Sequence, residues 1–102
     1  MADTTTQETR IAIVTGAASG IGRSVAIRLA ADGLDVVIND ISASEDELNK
    51  VAEQIRALGQ RAVTFCGDIS VEDVVRDMVD TAVKELGGVD VVSLPFRIVF
   101  QY

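Results

Sequence analysis

The residues best suited to chemistry in this chain are glycines and carboxylates, and their chemistry is binding rather than bond-making. Thr15-Gly16-Ala17-Ala18-Ser19-Gly20-Ile21-Gly22 follows the apolar run Ile11-Ala12-Ile13-Val14 and precedes a helical pattern. Strand, glycine-rich turn and helix together present backbone N–H groups and a positive helix end to a phosphate. Gly16 lets the chain turn sharply off the strand, Gly20 removes a side chain where a pyrophosphate approaches, and Gly22 lets the helix sit close to the strand. The spacing is G-x-x-x-G-x-G rather than G-x-G-x-x-G. Ser19 either donates to a phosphate or fills a turn position. Gly16, Ser19, Gly20, Ile21 and Gly22 are the candidate binding residues of this loop.

Two carboxylates extend the set. Asp40 closes the second apolar run, Val36-Val37-Ile38, eighteen residues after Gly22. A carboxylate there accepts hydrogen bonds from both ribose hydroxyls of an adenosine. It also repels a 2′-phosphate, position 41 is isoleucine rather than arginine, and Arg23 is the only basic residue near the loop. The expected preference is NAD over NADP. The alternative is that Asn39-Asp40 merely form a turn before the next helix. Asp68, in Gly67-Asp68-Ile69-Ser70, has a similar alternative as a loop and N-cap approach. Histidine is missing, so no Ser/His/Asp or Cys/His set exists, and the acidic residues show no metal-ligand clustering.

Composition sets the frame. A chain of 102 residues, 48% hydrophobic, forms one domain with a modest core. A net charge of −7, with nine scattered Lys and Arg residues, argues against nucleic acid or an anionic membrane surface as partner. The lone cysteine, Cys66, rules out an internal disulfide framework and reads as a buried, inert thiol at a strand end. No apolar run is long enough to span a bilayer. Residues 1–9 are polar and threonine-rich, a loose tail rather than a signal peptide. The expectation is a cytoplasmic domain.

Strand and helix signals alternate with little left over. Strands are expected at Ile11–Thr15, Val36–Ile38, Arg61–Cys66 and Val89–Leu94. A helix over Ile21–Ala31 carries Ile21, Val25, Leu29 and flanking alanines on one face, ending near Gly33. Ser42 and Ser44 offer N-caps for a second helix, Glu45–Leu58, with Leu48, Val51, Ala52, Ile55 and Leu58 on its apolar face. After Ser70 a third helix spaces Val71, Val74, Val75, Met78, Val79, Ala82, Val83 and Leu86 at helical intervals up to Gly87-Gly88. This βαβαβαβ pattern predicts an α/β fold, a Rossmann-like parallel sheet with helices on both faces. Right-handed crossovers give the order 3-2-1-4, with a switch point between strands one and four where ligands bind. The glycine loop, Asp40 and Asp68 all fall at that edge.

Thr-Gly-Ala-Ala-Ser-Gly-Ile-Gly at 15–22, Asn-Asp at 39–40, Gly-Asp-Ile-Ser at 67–70 and Gly-Gly-Val-Asp-Val-Val at 87–92 resemble the N-terminal half of a short-chain dehydrogenase/reductase. The similarity covers residues 10 to about 92, within a nucleotide-binding half-domain drawn at 10–94. Gly-Leu-Asp-Val-Val-Ile-Asn-Asp-Ile at 33–41 is also similar to fungal or bacterial diacetyl/acetoin reductase-like members. The resemblance implies that the glycine loop binds the pyrophosphate of a dinucleotide cofactor. It implies further that Asp40 holds the adenosine ribose and that Asp68 and the backbone of Ile69 contact the adenine.

Departures follow Val92. The family normally continues Asn-Asn-Ala-Gly, whereas this chain reads Ser93-Leu94-Pro95-Phe96-Arg97-Ile98-Val99-Phe100-Gln101-Tyr102. The family's catalytic serine and Tyr-x-x-x-Lys motif are not present, and Tyr102, the only tyrosine, has no lysine four residues later. Residues 95–102 therefore read as an atypical tail, and the chain as a cofactor-binding fragment incompetent for catalysis alone. A splice or gene-model fragment, a dimerisation decoy for a full-length relative, and a module that uses the scaffold without nucleotide stay open as alternatives. Strand four is expected to present a free apolar edge that invites association. Phe96, Ile98, Val99 and Phe100 offer cover for it, but Pro95 interrupts them and their alternation is poor.

Overall fold

The computed structural model describes residues 9–94 and 97–101. Five consecutive apolar or β-branched residues, all buried, make strand β1 (Ile11–Thr15) the axis of the sheet. It is flanked by β2 (Asp35–Asp40), and by β4 (Val91–Leu94) on the other side. Strand β3 (Ala62–Cys66) lies outside β2, and β5 (Arg97–Gln101) lies outside β4. The order is β3-β2-β1-β4-β5. Strands β1 to β4 are mutually parallel, with Ile13 opposite Val37 and Val92. The expected parallel order 3-2-1-4 is therefore present.

Helices α1 (Gly20–Ala31), α2 (Glu45–Ala57) and α3 (Glu72–Leu86) connect the strands. Because alternate residues of a strand point to opposite faces, β1 and β2 feed two cores. Val14, Val36 and Ile38 pack with Ala26 and Ala30 of α1 and with Leu48, Val51 and Ile55 of α2. Ile11, Ile13 and Val37 pack on the opposite side with Met78, Ala82 and Leu86 of α3. The change of face between α1 and α3 puts the switch point between β1 and β4.

Two expectations change here. The fully buried residues of α1 are Gly22, Ala26 and Ala30, with Val25 and Leu29 partly buried against the same core, while Ile21 points outward. Ile21 is 72% exposed, because small residues bring the helix closer to the strands than branched ones could. Ser42 does not cap α2 but opens a short 3-10 turn, Ser42–Ser44, and Ser44 makes no side-chain cap bond. Glu45, Asp46 and Glu47 in the first turn of α2 complement its dipole instead.

The edge expected on strand four is occupied. β5 pairs antiparallel with β4, Val91 opposite Gln101 and Leu94 opposite Arg97, with an irregularity between Val92 and Leu94. The sheet margin on that side is thus β5. The loose tail expected at 1–9 lies outside the described residues for positions 1–8, as do Pro95, Phe96 and Tyr102.

At the opposite end of the sheet from the glycine loop, Asp35 is buried and holds three elements together. Its carboxylate accepts from the Arg61 backbone N–H at 2.8 Å and from Arg61 Nε at 2.9 Å. Arg61 in turn donates to the Leu86 carbonyl at 3.3 Å, so β2, β3 and the end of α3 are tied at one point.

Ile38→Ala is expected to lower the unfolding free energy by about 2–5 kcal/mol, since Ile38 is fully buried. Val83→Ala, on the solvent side of α3 at 51% exposure, is expected to change it by less than about 0.5 kcal/mol. Urea unfolding of the three proteins measures both.

Candidate functional site

The C-terminal ends of β1, β2 and β3 gather every residue that the sequence singled out. Gly16 leaves β1 with φ of 64°, and Gly20 opens α1 with φ of 59°, both in the left-handed region that favours glycine. A Cβ on Gly20 would meet nothing within 4 Å, so open space lies beside the loop at that position. Gly22 is the opposite case. A Cβ there would fall on the Gly16 carbonyl oxygen, 2.7 Å from the carbonyl carbon and 3.1 Å from the Thr15 carbonyl oxygen. The loop and helix can close on each other only because position 22 has no side chain.

The positive end of α1 is left open. Ser19 precedes the helix in extended conformation but makes no side-chain cap bond, and no acidic residue occupies the first turn. By contrast α2 begins with three acids and α3 with Glu72 and Asp73. Among the three described α-helices, α1 alone has its dipole uncomplemented by its own carboxylates. An exogenous anion is what such an end accepts.

Asp40 is the last residue of β2 rather than part of a turn, and its carboxylate is already engaged. One oxygen, Oδ2, accepts from the Ala18 N–H of the glycine loop at 3.0 Å. The other, Oδ1, accepts from the Ile41 N–H at 2.8 Å. Each oxygen has a second lone pair, so the group can brace the loop and still accept from a ligand hydroxyl. The turn reading of Asn39-Asp40 is replaced by a strand end.

Asn39, which the sequence reading quoted in a motif but gave no role, joins the two loops through hydrogen bonds. It is 2% exposed. Its side-chain amide donates to the carbonyls of Phe65 at 2.9 Å and Gly67 at 3.2 Å, while its own carbonyl accepts from the Ala17 N–H at 2.9 Å. The available signal was its place directly after the buried run Val36-Val37-Ile38, where a polar side chain must find partners.

Asp68 sits one residue beyond Gly67, whose N–H donates to the Asp40 carbonyl at 2.9 Å. It is exposed, and its Oδ1 accepts from the Ser70 N–H at 2.9 Å and the Ser70 hydroxyl at 2.7 Å. The Ser70 backbone, and then its hydroxyl, hold the Asp68 carboxyl below the usual carboxylate range. Asp68 does not cap α3, whose N-cap is Val71; it forms a turn closed by its own carboxylate and leaves Oδ2 to other donors. Ile69 beside it packs partly into the core under α3.

Two further residues border the crevice. The buried Thr15 hydroxyl donates to the Ser93 carbonyl at 3.3 Å, joining the ends of β1 and β4. Cys66 is half-buried and pairs in register with Asp40, so it is closer to the site than a purely packing role implies. Burial, and next the carboxylates of Glu45 and Asp40, push its thiol above the ordinary value. It stays protonated and unreactive. Arg23 stands exposed on α1, one turn from Ser19.

A doubly wound parallel sheet, a glycine loop meeting an open helix end at the switch point, and a carboxylate closing the second strand define a nucleotide-type α/β architecture. Residues 10–94 match the model of the short chain dehydrogenase family, and the chain belongs to that family. The short-chain dehydrogenase/reductase eriH of Hericium erinaceus is 52% identical over 83 residues, 79% of this chain and 33% of that relative. Carveol dehydrogenase from Mycobacterium avium, solved in complex with NAD, matches with a TM-score of 0.77 at 31% identity, over 81% of this chain and 34% of its own. A blue fluorescent protein from a metagenomic library, solved in complex with NADPH, matches with a TM-score of 0.78 at 34% identity, over 81% and 34% of the two chains. The chain thus spans about a third of the length of the relatives it matches.

Two outcomes are expected from this geometry. Glycine to alanine inside a helix usually stabilises by about 0.5–1 kcal/mol. Gly22→Ala is expected to destabilise instead, by about 1–3 kcal/mol in urea unfolding, because the added methyl meets the rigid Gly16 carbonyl. Ser70→Ala removes one of two donors to Asp68 and is expected to move that carboxyl partway up toward its ordinary range. The lowered value means that the charged, bonded turn is present at neutral pH and is lost as pH falls through it, so the variant loses the turn at a higher pH. Carboxyl-carbon NMR titration reads the difference.

Proposed function

We propose that this chain is the dinucleotide-binding part of a short-chain dehydrogenase/reductase-type oxidoreductase and that it holds NAD(H) in preference to NADP(H). The observation that carries the proposal is the placement of Asp40. Its carboxylate closes β2 beside the glycine loop, braced by the Ala18 N–H at 3.0 Å, with lone pairs left for ribose hydroxyls. In this reading the open N-terminus of α1 and the backbone of Gly16, Ser19, Gly20, Ile21 and Gly22 receive the pyrophosphate. Asp68 and the Ile69 backbone receive the adenine. The residues fit such a ligand: space beside Gly20, no competing acid in the first turn of α1, and acceptors on both flanks.

The preference follows from charge. A 2′-phosphate on the same ribose would face the Asp40 carboxylate, and two unit charges 4 Å apart repel by about 4 kcal/mol at an effective dielectric of 20. Position 41 is isoleucine, 51% exposed, and offers no compensating cation.

When bound, the cofactor supplies or accepts hydride; this chain's residues bind and orient its adenosine and pyrophosphate end. Protonating a carbonyl oxygen needs a positioned acid. Residues 10–94 contain no tyrosine and no histidine. In this reading residues 10–94 bind cofactor without themselves supplying that acid. Its reading as a cytoplasmic protein rests on the acidic, single-cysteine composition. β4 is paired on both sides, so on that side of the sheet the margin open to association is β5 rather than β4.

Titration calorimetry of the purified chain is expected to show tighter binding of NADH than of NADPH. Asp40→Asn keeps an acceptor for Ala18 but removes the charge, and is expected to tighten NADPH at least about tenfold. Equal affinities in the parent overturn the preference, and no binding of either overturns the function. Diacetyl, alcohols and hydroxyketones are expected to give no NADH oxidation or NAD reduction above background; robust turnover contradicts the division of roles.

A further inference from the structure

The proposed adenine and pyrophosphate subsites lie on different loops, and one buried residue touches both. The glycine loop follows β1, and the Asp68 turn follows β3. Between them stands the end of β2. The Asn39 carbonyl accepts from Ala17, and its side-chain amide donates to Phe65 and Gly67, the residues on either side of Cys66. The Asp40 carbonyl adds a bond from the Gly67 N–H. Gly67 is thereby held through both its N–H and its C=O by β2, immediately before Asp68.

Among the described residues β3 pairs with β2 alone, so its end has a paired strand on one side only. Without the Asn39 amide, the chain leaving β3 keeps a single bond to β2 beyond the ladder, the one from Gly67 to Asp40. Glycine at 67 adds freedom rather than restraint, and its own Cβ position is crowded by Val74 of α3 at 2.7 Å, so no larger residue fits without movement there. An amide with two N–H donors matches this task. It satisfies two carbonyls that diverge from the strand, which a hydroxyl with one donor cannot do.

We propose that Asn39 is a positioning residue: its amide fixes the Asp68 turn relative to the glycine loop and so sets the preference for adenine at the base end of the ligand. The inference rests on the dinucleotide reading above and deepens it. Adenine presents an amino group that can donate to Asp68, whereas hypoxanthine presents a carbonyl oxygen in the same place. Discrimination between the two bases depends on where the Asp68 carboxylate stands; the Asp40 discrimination against a 2′-phosphate does not.

The test compares NADH with nicotinamide hypoxanthine dinucleotide, reduced form, by calorimetry on the full chain. The parent is expected to prefer NADH by about tenfold. Asn39→Ala and the smaller perturbation Asn39→Ser are expected to bring that ratio toward one, as Asp68→Ala does, while the NADH to NADPH ratio is retained. Partial unfolding lowers both affinities together and leaves each ratio unmoved, so a merely structural role predicts an unchanged base ratio. An unchanged ratio in folded variants overturns the assignment. So does a collapse of both ratios, which would make Asn39 a general support. Amide hydrogen exchange gives a readout without ligand. Gly67 and Ser70 are expected to exchange at least about tenfold faster in Asn39→Ala, with Ile13 and Val37 unaffected. Equal exchange at Gly67 and Ser70 overturns the positioning role even if the parent binds no dinucleotide, an outcome that would separately remove the proposed function.

Discussion

The candidate-site end of the fold depends on the short polar terminus that follows the apolar run Val36–Ile38 of β2. β2 runs buried from Asp35 to Asn39, and among the described residues its last two carry the hydrogen bonds that join the two loops of the crevice. Asn39 and Asp40 take the Ala17 and Ala18 amides on one side, and they hold Gly67 on the other. Buried polar groups stabilise only when satisfied, and here satisfaction and loop placement are the same bonds. Removing either residue leaves carbonyls or amides without partners at the point where two loops must keep register. The site is built around this junction, and the glycines act by letting the loops come close enough to reach it.

Close approach recurs on the helical layer. α1 meets the sheet through Gly22, Ala26 and Ala30, and α2 covers the rest of that face with larger side chains. A thin helix contact at α1 draws its N-terminus down to the level of the strand ends. The consequence is electrostatic: an uncomplemented helix end lies beside the glycine loop, while the acid-rich first turns of α2 and α3 are complemented by their own side chains. The same small residues turn Ile21 outward, together with the partly buried Val25 and Leu29, to form a shallow apolar groove with Ser24 and Arg28.

Much of this was legible in the sequence. The alternation of apolar runs with helical periods fixed the element order, and right-handed crossover then left one sheet order to consider. Glycine spacing and the position of Asp40 were enough to put the candidate binding residues on one edge. What escaped the reading had local causes. Hydropathy ranked Ile21, Val25 and Leu29 above Gly22, Ala26 and Ala30, although packing distance favours small residues. Asn39 was given no role beyond a possible turn, because sequence alone does not reveal two carbonyls arriving from a strand 26 residues away. The tail was offered only as uncertain cover for strand four, because its apolar alternation is poor, yet Arg97–Gln101 pairs as a strand with Val91–Leu94.

The central claim is that one edge of the sheet binds a dinucleotide through residues drawn from three strand ends. Chemical-shift mapping of the isotope-labelled chain during NADH titration tests it directly. The account predicts saturable shifts at the amides of Ser19, Gly20, Ile21 and Gly22, around Asp40, and at Asp68 and Ile69, with the Asp35–Arg61 end of the sheet unmoved. Shifts confined to the outer groove of α1, or spread evenly without saturation, would contradict it.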